Sequence, residues 1–221
     1  MNPEPNLSSQ YLLLKRGLDL FAALALLLIF FPLWLLLIVA IKIDSPGPVL
    51  FRQKRIGRHK THFNILKFRT MRIDTPRDTP THLLENPEFW VTRVGTFLRR
   101  TSLDELPQLI NILRGEMSFV GPRPALWNQQ DLIEERDRYG VNAAPVGLTG
   151  WAQINGRDEL LIPEKARLDG EYVQKFGLYM DLRCLVGSVI AVLRTDGVLE
   201  GGTGRLGKSE TGGVPHKSGS D

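Results

Sequence analysis

The sequence predicts an α-rich α+β protein whose N-terminal helical segment enters a membrane. Three observations support this prediction: residues 20–41 form one apolar run, two β-prone segments surround a basic loop, and three later segments have helical periodicity. Beyond the membrane segment, the 221 residues leave room for one compact domain of about 150 residues. The expected divisions are a loose N-terminus at 1–10, a membrane helix at 11–43, one domain at 44–196 and a disordered tail at 197–221.

Pro32 lies almost at the centre of the apolar run. A proline lacks the N–H that would bond the Leu28 carbonyl, so we expect the helix to bend or break there. The whole run is long enough to cross the ~30 Å hydrocarbon layer, whereas each half reaches only about its midplane. Two topologies therefore fit: a re-entrant helix with both ends on one side, and a kinked helix that crosses once, since membrane helices tolerate proline.

The charges on both sides of the run favour the re-entrant topology. Lys15 and Arg16 precede the run. The basic residues that follow it are Lys42, Arg52, Lys54, Arg55, Arg58 and Lys60. A single crossing would place one basic flank on the outer side, which the positive-inside rule disfavours. A re-entrant helix keeps both flanks beside anionic head groups on the cytoplasmic side.

Two strands are predicted directly after the membrane segment. Residues 49–53 and 63–71 carry β-branched and aromatic residues around Ile56-Gly57-Arg58, a pattern typical of two short strands joined by a basic loop. Residues 75–88 are rich in Pro, Thr, Asp and Glu and predict a surface loop. The further predicted segments are an ordered one at 94–100 and polar-faced helices at 125–139 and 164–176.

Residues 178–193 predict an amphipathic helix with a broad apolar side. Its apolar side consists of Leu182, Leu185, Val186, Val189, Ile190 and Leu193. Two interpretations remain open at this point, because such a helix either lies on a membrane surface or packs into the core of the domain.

Charge and cysteine content narrow the function classes. The formal net charge of +4 suits nucleic acid, acidic phospholipid or a phosphorylated substrate equally well. A nucleic-acid partner is not expected, because no recognition helix or aromatic-interleaved sheet is predicted. Cys184 is the only cysteine, which excludes an intrachain disulfide, and its apolar neighbours predict a packing role. No Cys/His cluster indicates zinc or an iron–sulfur centre.

The block from Arg99 to Pro124 carries the densest chemistry. Ser102 and Glu105 have the spacing of a capping box, and Gly115 suits the end of the helix that would follow. Pro107 disfavours helical geometry at the preceding residue, so the regular helix is expected to begin at Pro107. In either case Asp104 and Glu105 lie at its N-terminal end. They are either ordinary first-turn acids or a pair that faces a bound phosphate.

An ionised aspartate beside a phosphate is a potential nucleophile. Carboxylates attack phosphorus in enzymes that form aspartyl phosphates, but cations must offset the repulsion between two anions. Arg99, Arg100 and Arg123 are the local candidates, and Mg²⁺ suits carboxylate oxygens. Pro122 and Pro124 would restrict the backbone on both sides of Arg123. A second block, from Gly147 through Trp151 to Arg157, mixes glycines with hydrogen-bonding side chains, as in a nucleotide or sugar site.

Together these motifs resemble the bacterial sugar transferase family, the monotopic phosphoglycosyl transferases that act on polyprenyl phosphate. The resemblance runs in order from about residue 11 to residue 195 and includes the interrupted membrane run. Its motifs are Lys15-Arg16 with Asp19, Lys67-Phe68-Arg69, Ser102-Leu103-Asp104-Glu105, Pro122-Arg123-Pro124 and Trp151-Ala152-Gln153 through Arg157.

The resemblance implies a fold, a reaction and a location. The fold would be a re-entrant membrane helix with a small cytoplasmic, α-rich catalytic domain and interfacial amphipathic helices. The reaction would be Mg²⁺-dependent transfer of sugar-1-phosphate from a UDP-sugar to undecaprenyl phosphate, with UMP released by a ping-pong route. The place would be the cytoplasmic face of the bacterial inner (cytoplasmic) membrane, at the first membrane step of exopolysaccharide, O-antigen or glycoprotein glycan assembly. Membrane lipids and downstream glycosyltransferases are the further partners it implies.

Carried over residue by residue, the resemblance also implies roles within the site. Asp104 would attack the sugar-proximal phosphorus, and Glu105 would assist through metal or proton handling, so both acids would lie beside Mg²⁺. The implied phosphate-contacting set is Arg99, Arg123 with Pro122 and Pro124 shaping its contact, Arg157, and Lys15 and Arg16 with Asp19 at head-group depth.

Two positions depart from the family pattern. Phe31 stands where many relatives have a serine whose hydroxyl can bond a freed carbonyl. Pro145-Val146-Gly147 stands where relatives commonly have Arg-Pro-Gly, which removes a cation that Arg157 is expected to replace. If Arg157 does not replace this cation, the alternative is that the protein is a catalytically impaired member of the family that acts as a membrane scaffold for glycan assembly. No residue indicates which UDP-sugar is used.

Overall fold

The computed structural model describes residues 7–75, 87–156 and 160–193. In these ranges the protein is mostly helical, with one β-hairpin and one short pair of parallel strands. The predicted disordered tail at 197–221, Arg157, and most of the predicted loop at 75–88 lie outside the described residues. The helices are α1 Ser9–Ile29, α2 Phe31–Asp44, α3 Pro87–Trp90, α4 Arg93–Thr101, α5 Gln108–Arg114, α6 Gln130–Asp137, α7 Trp151–Ile154, α8 Ile162–Gln174 and α9 Leu178–Leu193. The strands are β1 Leu50–Ile56, β2 His62–Phe68, β3 Ser118–Val120 and β4 Gly147–Thr149.

The expected break at Pro32 is confirmed. The axes of α1 and α2 differ by 63°, and Pro32 occupies the first turn of α2, where a missing N–H leaves no hydrogen bond unmade. The N–H of Phe30 donates to the Leu26 carbonyl and is also directed to the Leu28 carbonyl, which Pro32 leaves without its helical donor. By length and apolar composition, no single described helix could cross a membrane, whereas this bent pair passes that test.

Both arms of the bent pair pack on the rest of the protein. In α1, Ala23 is fully buried in a cluster with Ile65 and Ile112. In α2, Leu37 and Ile41 lie in a second cluster with Phe68 and Leu98. The opposite faces of both arms are apolar and exposed, at Leu13, Leu14, Leu18, Phe21, Leu24, Leu28, Ile29, Phe31, Leu35, Leu36, Val39 and Ile43. The pair therefore has one face that joins the domain core and one that is left for an apolar environment.

The predicted hairpin is confirmed with shifted strand bounds. β1 and β2 pair antiparallel, from Leu50 opposite Phe68 to Ile56 opposite His62. The first strand extends beyond the predicted 49–53, and the second ends before Met71. The short parallel pair of β3 and β4 was not predicted, because strands of three residues carry too little periodicity to be recognised.

The predicted capping box is wrong. Ser102 has a left-handed backbone, with φ of 56°, and it ends α4 instead of beginning the next helix. The chain then forms a 3₁₀ turn at Leu103–Glu105 before α5 begins at Gln108. The Glu105 carboxylate reaches two distant cations rather than a backbone N–H at Ser102, and these ion pairs explain why the local pattern misled. The helix end at Gly115 is confirmed, with φ of 83°.

The last helix, α9, has the predicted bounds. One face packs into the core of the domain and the other is apolar and exposed, so each of the two interpretations describes one face. Its inner face buries Met180 and Cys184 against Tyr172 and Val173, which confirms the packing role of the cysteine. Its outer face exposes Leu182, Leu185, Val186, Val189 and Ile190. The two predicted polar-faced helices are found at α6 and α8, with shifted bounds.

Candidate active site

Asp104 and Glu105 lie in the 3₁₀ turn between α4 and α5. The left-handed Ser102 ends α4, and the turn directs both acids toward β2 instead of along a helix surface. Asp104 is only 3% exposed, and the Glu105 side chain is 15% exposed. A buried and a largely buried carboxylate side by side require cationic partners or protonation.

The cations come from two other parts of the chain. The Lys67 ammonium of β2 donates to Glu105 Oε1 at 2.9 Å and lies 3.7 Å from Asp104 Oδ2. A guanidinium nitrogen of Arg123 donates to the same Glu105 oxygen at 2.8 Å. The fold thus brings two acids and two cations together from three separate segments.

These partners decide the charge of Glu105. Burial alone would raise the pKa of its carboxyl, but the Arg123 guanidinium and the Lys67 ammonium together hold that pKa far below its ordinary value of 4.5. Glu105 is therefore ionised at neutral pH, and it presents charged oxygens rather than a carboxylic acid group.

One oxygen of the cluster is left for a further cation. Both Lys67 and Arg123 use Glu105 Oε1, and no described residue donates to Oε2. Within the described ranges, no group of three or more His, Cys, Asp or Glu side chains could hold a metal. A Mg²⁺ ion here would thus rely on Asp104, Glu105 and oxygens of water or phosphate, a donor set that magnesium commonly uses.

Rigid backbone holds Arg123 at the acid pair. The Pro122 carbonyl accepts a hydrogen bond from the Gly147 N–H, and the Pro124 carbonyl accepts one from Arg55. At Gly121 a Cβ atom would lie 2.2 Å from the Pro145 carbonyl oxygen, so only glycine fits there. The loop is thereby fixed on both sides of Arg123, as the two flanking prolines led us to expect.

Arg99 lies near this region without joining the acid pair. Its Nε donates to the Thr70 hydroxyl at 3.0 Å, and it forms no ion pair with any described residue. The other guanidinium nitrogens therefore remain available for an anion. The predicted phosphate contact of Arg99 stays a prediction.

Lys15, Arg16 and Asp19 attach α1 to the domain instead of pointing toward the acid pair. Lys15 is buried and forms an ion pair with Asp181 of α9. Arg16 donates to the Ile112 and Leu113 carbonyls at the C-terminus of α5, at 2.5 and 3.0 Å. Asp19 accepts a hydrogen bond from the Phe119 N–H at 3.1 Å. Their predicted contact with a lipid phosphate stays a prediction beside these structural contacts.

The Trp151 block also makes structural contacts. The Trp151 indole N–H donates to Glu171 at 3.1 Å, and the Arg183 guanidinium lies 4.7 Å from the centre of its ring. Gln153 donates to the Leu148 carbonyl. These contacts join α7 to α8 and α9, and the predicted nucleotide or sugar contact of this block stays a prediction.

Lys67 is the site residue to which the sequence analysis gave no role. Phe63, Ile65 and Lys67 alternate along β2 and so share one face, and the first two are buried in the core. A lysine on an inward face needs an anionic partner. That position within the Lys67-Phe68-Arg69 motif was the signal that could have identified it.

This chain is similar to one protein family and to several known proteins. The model of the bacterial sugar transferase family matches residues 10–195. The chain is 40% identical over 187 residues to an uncharacterized sugar transferase, EpsL, of Bacillus subtilis (strain 168), covering 85% of this chain and 91% of that protein. It is 43% identical over 191 residues to a UDP-glucose:undecaprenyl-phosphate glucose-1-phosphate transferase of Caulobacter vibrioides, covering 82% of this chain and 70% of that protein.

A third relative is considerably longer than the region of similarity. The chain is 42% identical over 189 residues to an undecaprenyl-phosphate glucose phosphotransferase of Komagataeibacter xylinus. The match covers 81% of this chain but only 36% of that protein. This chain therefore corresponds to about a third of that relative's length.

Proposed function

Because the chain belongs to the bacterial sugar transferase family, we propose that it transfers a sugar-1-phosphate from a UDP-sugar to undecaprenyl phosphate. The observation that carries the proposal is the buried acid pair, with Glu105 ionised and bonded to both Lys67 and Arg123. The names of two relatives support the choice of lipid acceptor, and one of them supports UDP-glucose as a donor to test first.

The reaction proceeds in two displacements at the same phosphorus. An Asp104 oxygen attacks the sugar-proximal phosphorus, a P–O bond to the uridine side breaks, and UMP leaves with the electron pair. A phosphate oxygen of undecaprenyl phosphate then attacks this phosphorus, and the Asp104 carboxylate leaves. No proton transfer is required, because nucleophile and leaving group are oxyanions in both steps.

Cations are the main requirement of such a reaction, since Asp104 and the substrate are both negatively charged. Lys67 supplies positive charge beside the reacting Asp104 carboxylate, and Arg123 supplies it at the neighbouring Glu105. Mg²⁺, held by Asp104 and Glu105, would neutralise phosphate charge during the transfer. Arg99 supplies a further phosphate contact. The described acids and cations, Asp104 and Glu105 with Lys67 and Arg123, favour an active enzyme over the scaffold alternative.

We further propose that the bent pair of α1 and α2 is re-entrant. The domain packs against Ala23 before the break and against Leu37 and Ile41 after it, so both arms lie against the same domain. In a single crossing, one arm would extend away from the domain to the far side. With both arms equally inclined, the 63° bend tilts each arm about 30° from the membrane plane. The 14 residues of α2 would then descend only about 11 Å, well short of the ~30 Å hydrocarbon layer.

The proposed activity can be tested directly. The full chain, purified in detergent or nanodiscs, is incubated with undecaprenyl phosphate, Mg²⁺ and a panel of UDP-sugars that includes UDP-glucose. We expect UMP and a lipid-linked diphosphosugar with at least one donor, and loss of both products with EDTA. Absence of UMP with every donor, from protein shown to be folded, would contradict the proposal and favour the scaffold.

A further inference from the structure

One buried side chain next to the acid pair lacks a hydrogen-bonding partner in the described part of the chain. Gln108 is 0% exposed, and neither its amide nitrogen nor its amide oxygen forms a hydrogen bond. Arg69 and Gln153 also have one unbonded atom but bond through another polar atom, and the Trp34 indole N–H, which is unbonded too, lies on α2, outside the segment that carries the acids. An unbonded buried amide is destabilising, so its presence in a folded protein requires an explanation.

The neighbours of Gln108 show where it lies. Glu105, Gln108 and Asn111 are three residues apart and share one side of the segment formed by the 3₁₀ turn and α5. Glu105 bonds Lys67 of β2, and Asn111 bonds two backbone groups nearer the start of the same strand. Gln108 is the middle member of this polar stripe. It therefore lies on the side of the segment that faces β2, between the level of Lys67 and that of the Asn111 contacts, and four residues after Asp104.

The two outer members of the stripe, Glu105 and Asn111, form hydrogen bonds within the protein, whereas the middle one, Gln108, does not. Asn111 uses both atoms of its amide to hold β2, so an amide on this face can be fully bonded within the protein. Lys67 and Arg123 are committed to Glu105. A phosphoryl group that reaches Asp104 needs hydrogen-bond donors for its oxygens in place of water. The Gln108 amide is an uncommitted neutral donor on the same side of the segment as Glu105.

We propose that Gln108 is a substrate-contact residue, whose amide donates a hydrogen bond to the phosphoryl group at Asp104 once the donor has bound. The proposal rests on the proposed function, since that function brings the phosphoryl group to Asp104. On this proposal, the Gln108 hydrogen bond exists only after the sugar donor has bound. The amide therefore contributes to binding or catalysis and not to the stability of the free protein.

The test separates these two contributions in the full chain. Gln108→Met keeps the length of the side chain and removes the amide, and Asn111→Leu removes an amide that is bonded in the free protein. Thermal unfolding is measured without and with UDP-glucose and Mg²⁺, and the rate of UMP release is measured before steady state. For Gln108→Met we expect an unfolding midpoint equal to or above that of the wild type, a smaller donor-induced increase, and UMP release slower by about ten- to hundredfold. Asn111→Leu should lower the midpoint of the free protein.

Three outcomes overturn the proposal. They are an unchanged rate in Gln108→Met, a loss of midpoint as large as that of Asn111→Leu, and an unchanged donor-induced increase. The proposed function fails separately, if the wild type releases no UMP with any donor. If the wild type turns over without a covalent adduct, a tenfold or greater loss of kcat/KM in Gln108→Met at an unchanged midpoint still supports the contact.

Discussion

At the scale of single residues, the acid pair depends on contacts between distant parts of the chain. Asp104, Glu105 and Arg123 were predicted from their local pattern, and the structure brings Glu105 and Arg123 to 2.8 Å. Lys67 precedes Glu105 by 38 residues, and only the strand alternation that turns it inward could have indicated its role. At Ser102 a local pattern was present but misleading. The Ser-x-x-Glu spacing predicted a capping box, and it carries no information about the cations elsewhere in the chain that bind Glu105.

Removing the Lys67 ammonium tests its contribution to the site. In Lys67→Met, Glu105 keeps Arg123 but loses one charged hydrogen bond, so we expect the free energy of unfolding to fall by about 2 kcal/mol at neutral pH. UMP release should also slow, because positive charge beside Asp104 is lost. Lys60→Met is the matched control: the Lys60–Asp137 pair is exposed, and we expect a change below about 0.5 kcal/mol. Equal effects of the two variants in urea titrations would argue against a special role for Lys67.

The lowered pKa of Glu105 predicts how stability depends on pH. Because the folded-state pKa lies below the ordinary value of 4.5, the contribution of the ionised carboxylate is complete above that pH and is lost as the pH falls below it. Glu105→Gln lacks this contribution at every pH. We therefore expect the difference in unfolding free energy between wild type and Glu105→Gln to shrink between pH 5 and about pH 3. A difference that stays constant over this range would mean that Glu105 is not held ionised by its partners.

At the scale of elements, buried polar contacts hold α1 and α9 in place relative to each other. Both of these helices expose an apolar face. The Asp181 carboxylate of α9 is bonded to Lys15 and Tyr11 of α1 and to Tyr172 of α8. From sequence, Lys15 was expected at a lipid phosphate, since its partner lies 166 residues away and nothing local indicates it. The bounds of α9 and the break at Pro32 were predictable, because periodicity and proline geometry are local properties.

Breaking the junction between α1 and α9 should be costly. Lys15→Met leaves a buried carboxylate without its cation, and we expect the free energy of unfolding to fall by about 3 kcal/mol. In Lys175→Met, an exposed helix pair with Glu171 is lost, and the change should stay below about 0.5 kcal/mol. Chemical unfolding of both variants in the same detergent gives the comparison. A loss in Lys15→Met no larger than that of the control would show that the pair does not hold the helices together.

At the scale of the whole molecule, the exposed apolar faces of α1, α2 and α9 and the packing of both arms on one domain define the expected topology. For a re-entrant pair, cysteines at Ser9 and Lys42, both exposed, should react with an impermeant thiol reagent only from the cytoplasmic side. Cys184 is fully buried and provides an unreactive background in the folded protein. Labelling of one position from the outer side would mean that the pair crosses the membrane.

The central claim is that Asp104 forms a covalent bond to the phosphosugar, and intact-protein mass spectrometry tests it most directly. The full chain is mixed with Mg²⁺ and a donor that supports turnover, without undecaprenyl phosphate. We predict one equivalent of UMP and a mass increase equal to one phosphosugar on the wild type, removed by later addition of the lipid. Asp104→Asn should show neither. Turnover by the wild type with no trapped adduct, or an adduct of the same mass on Asp104→Asn, would contradict the account.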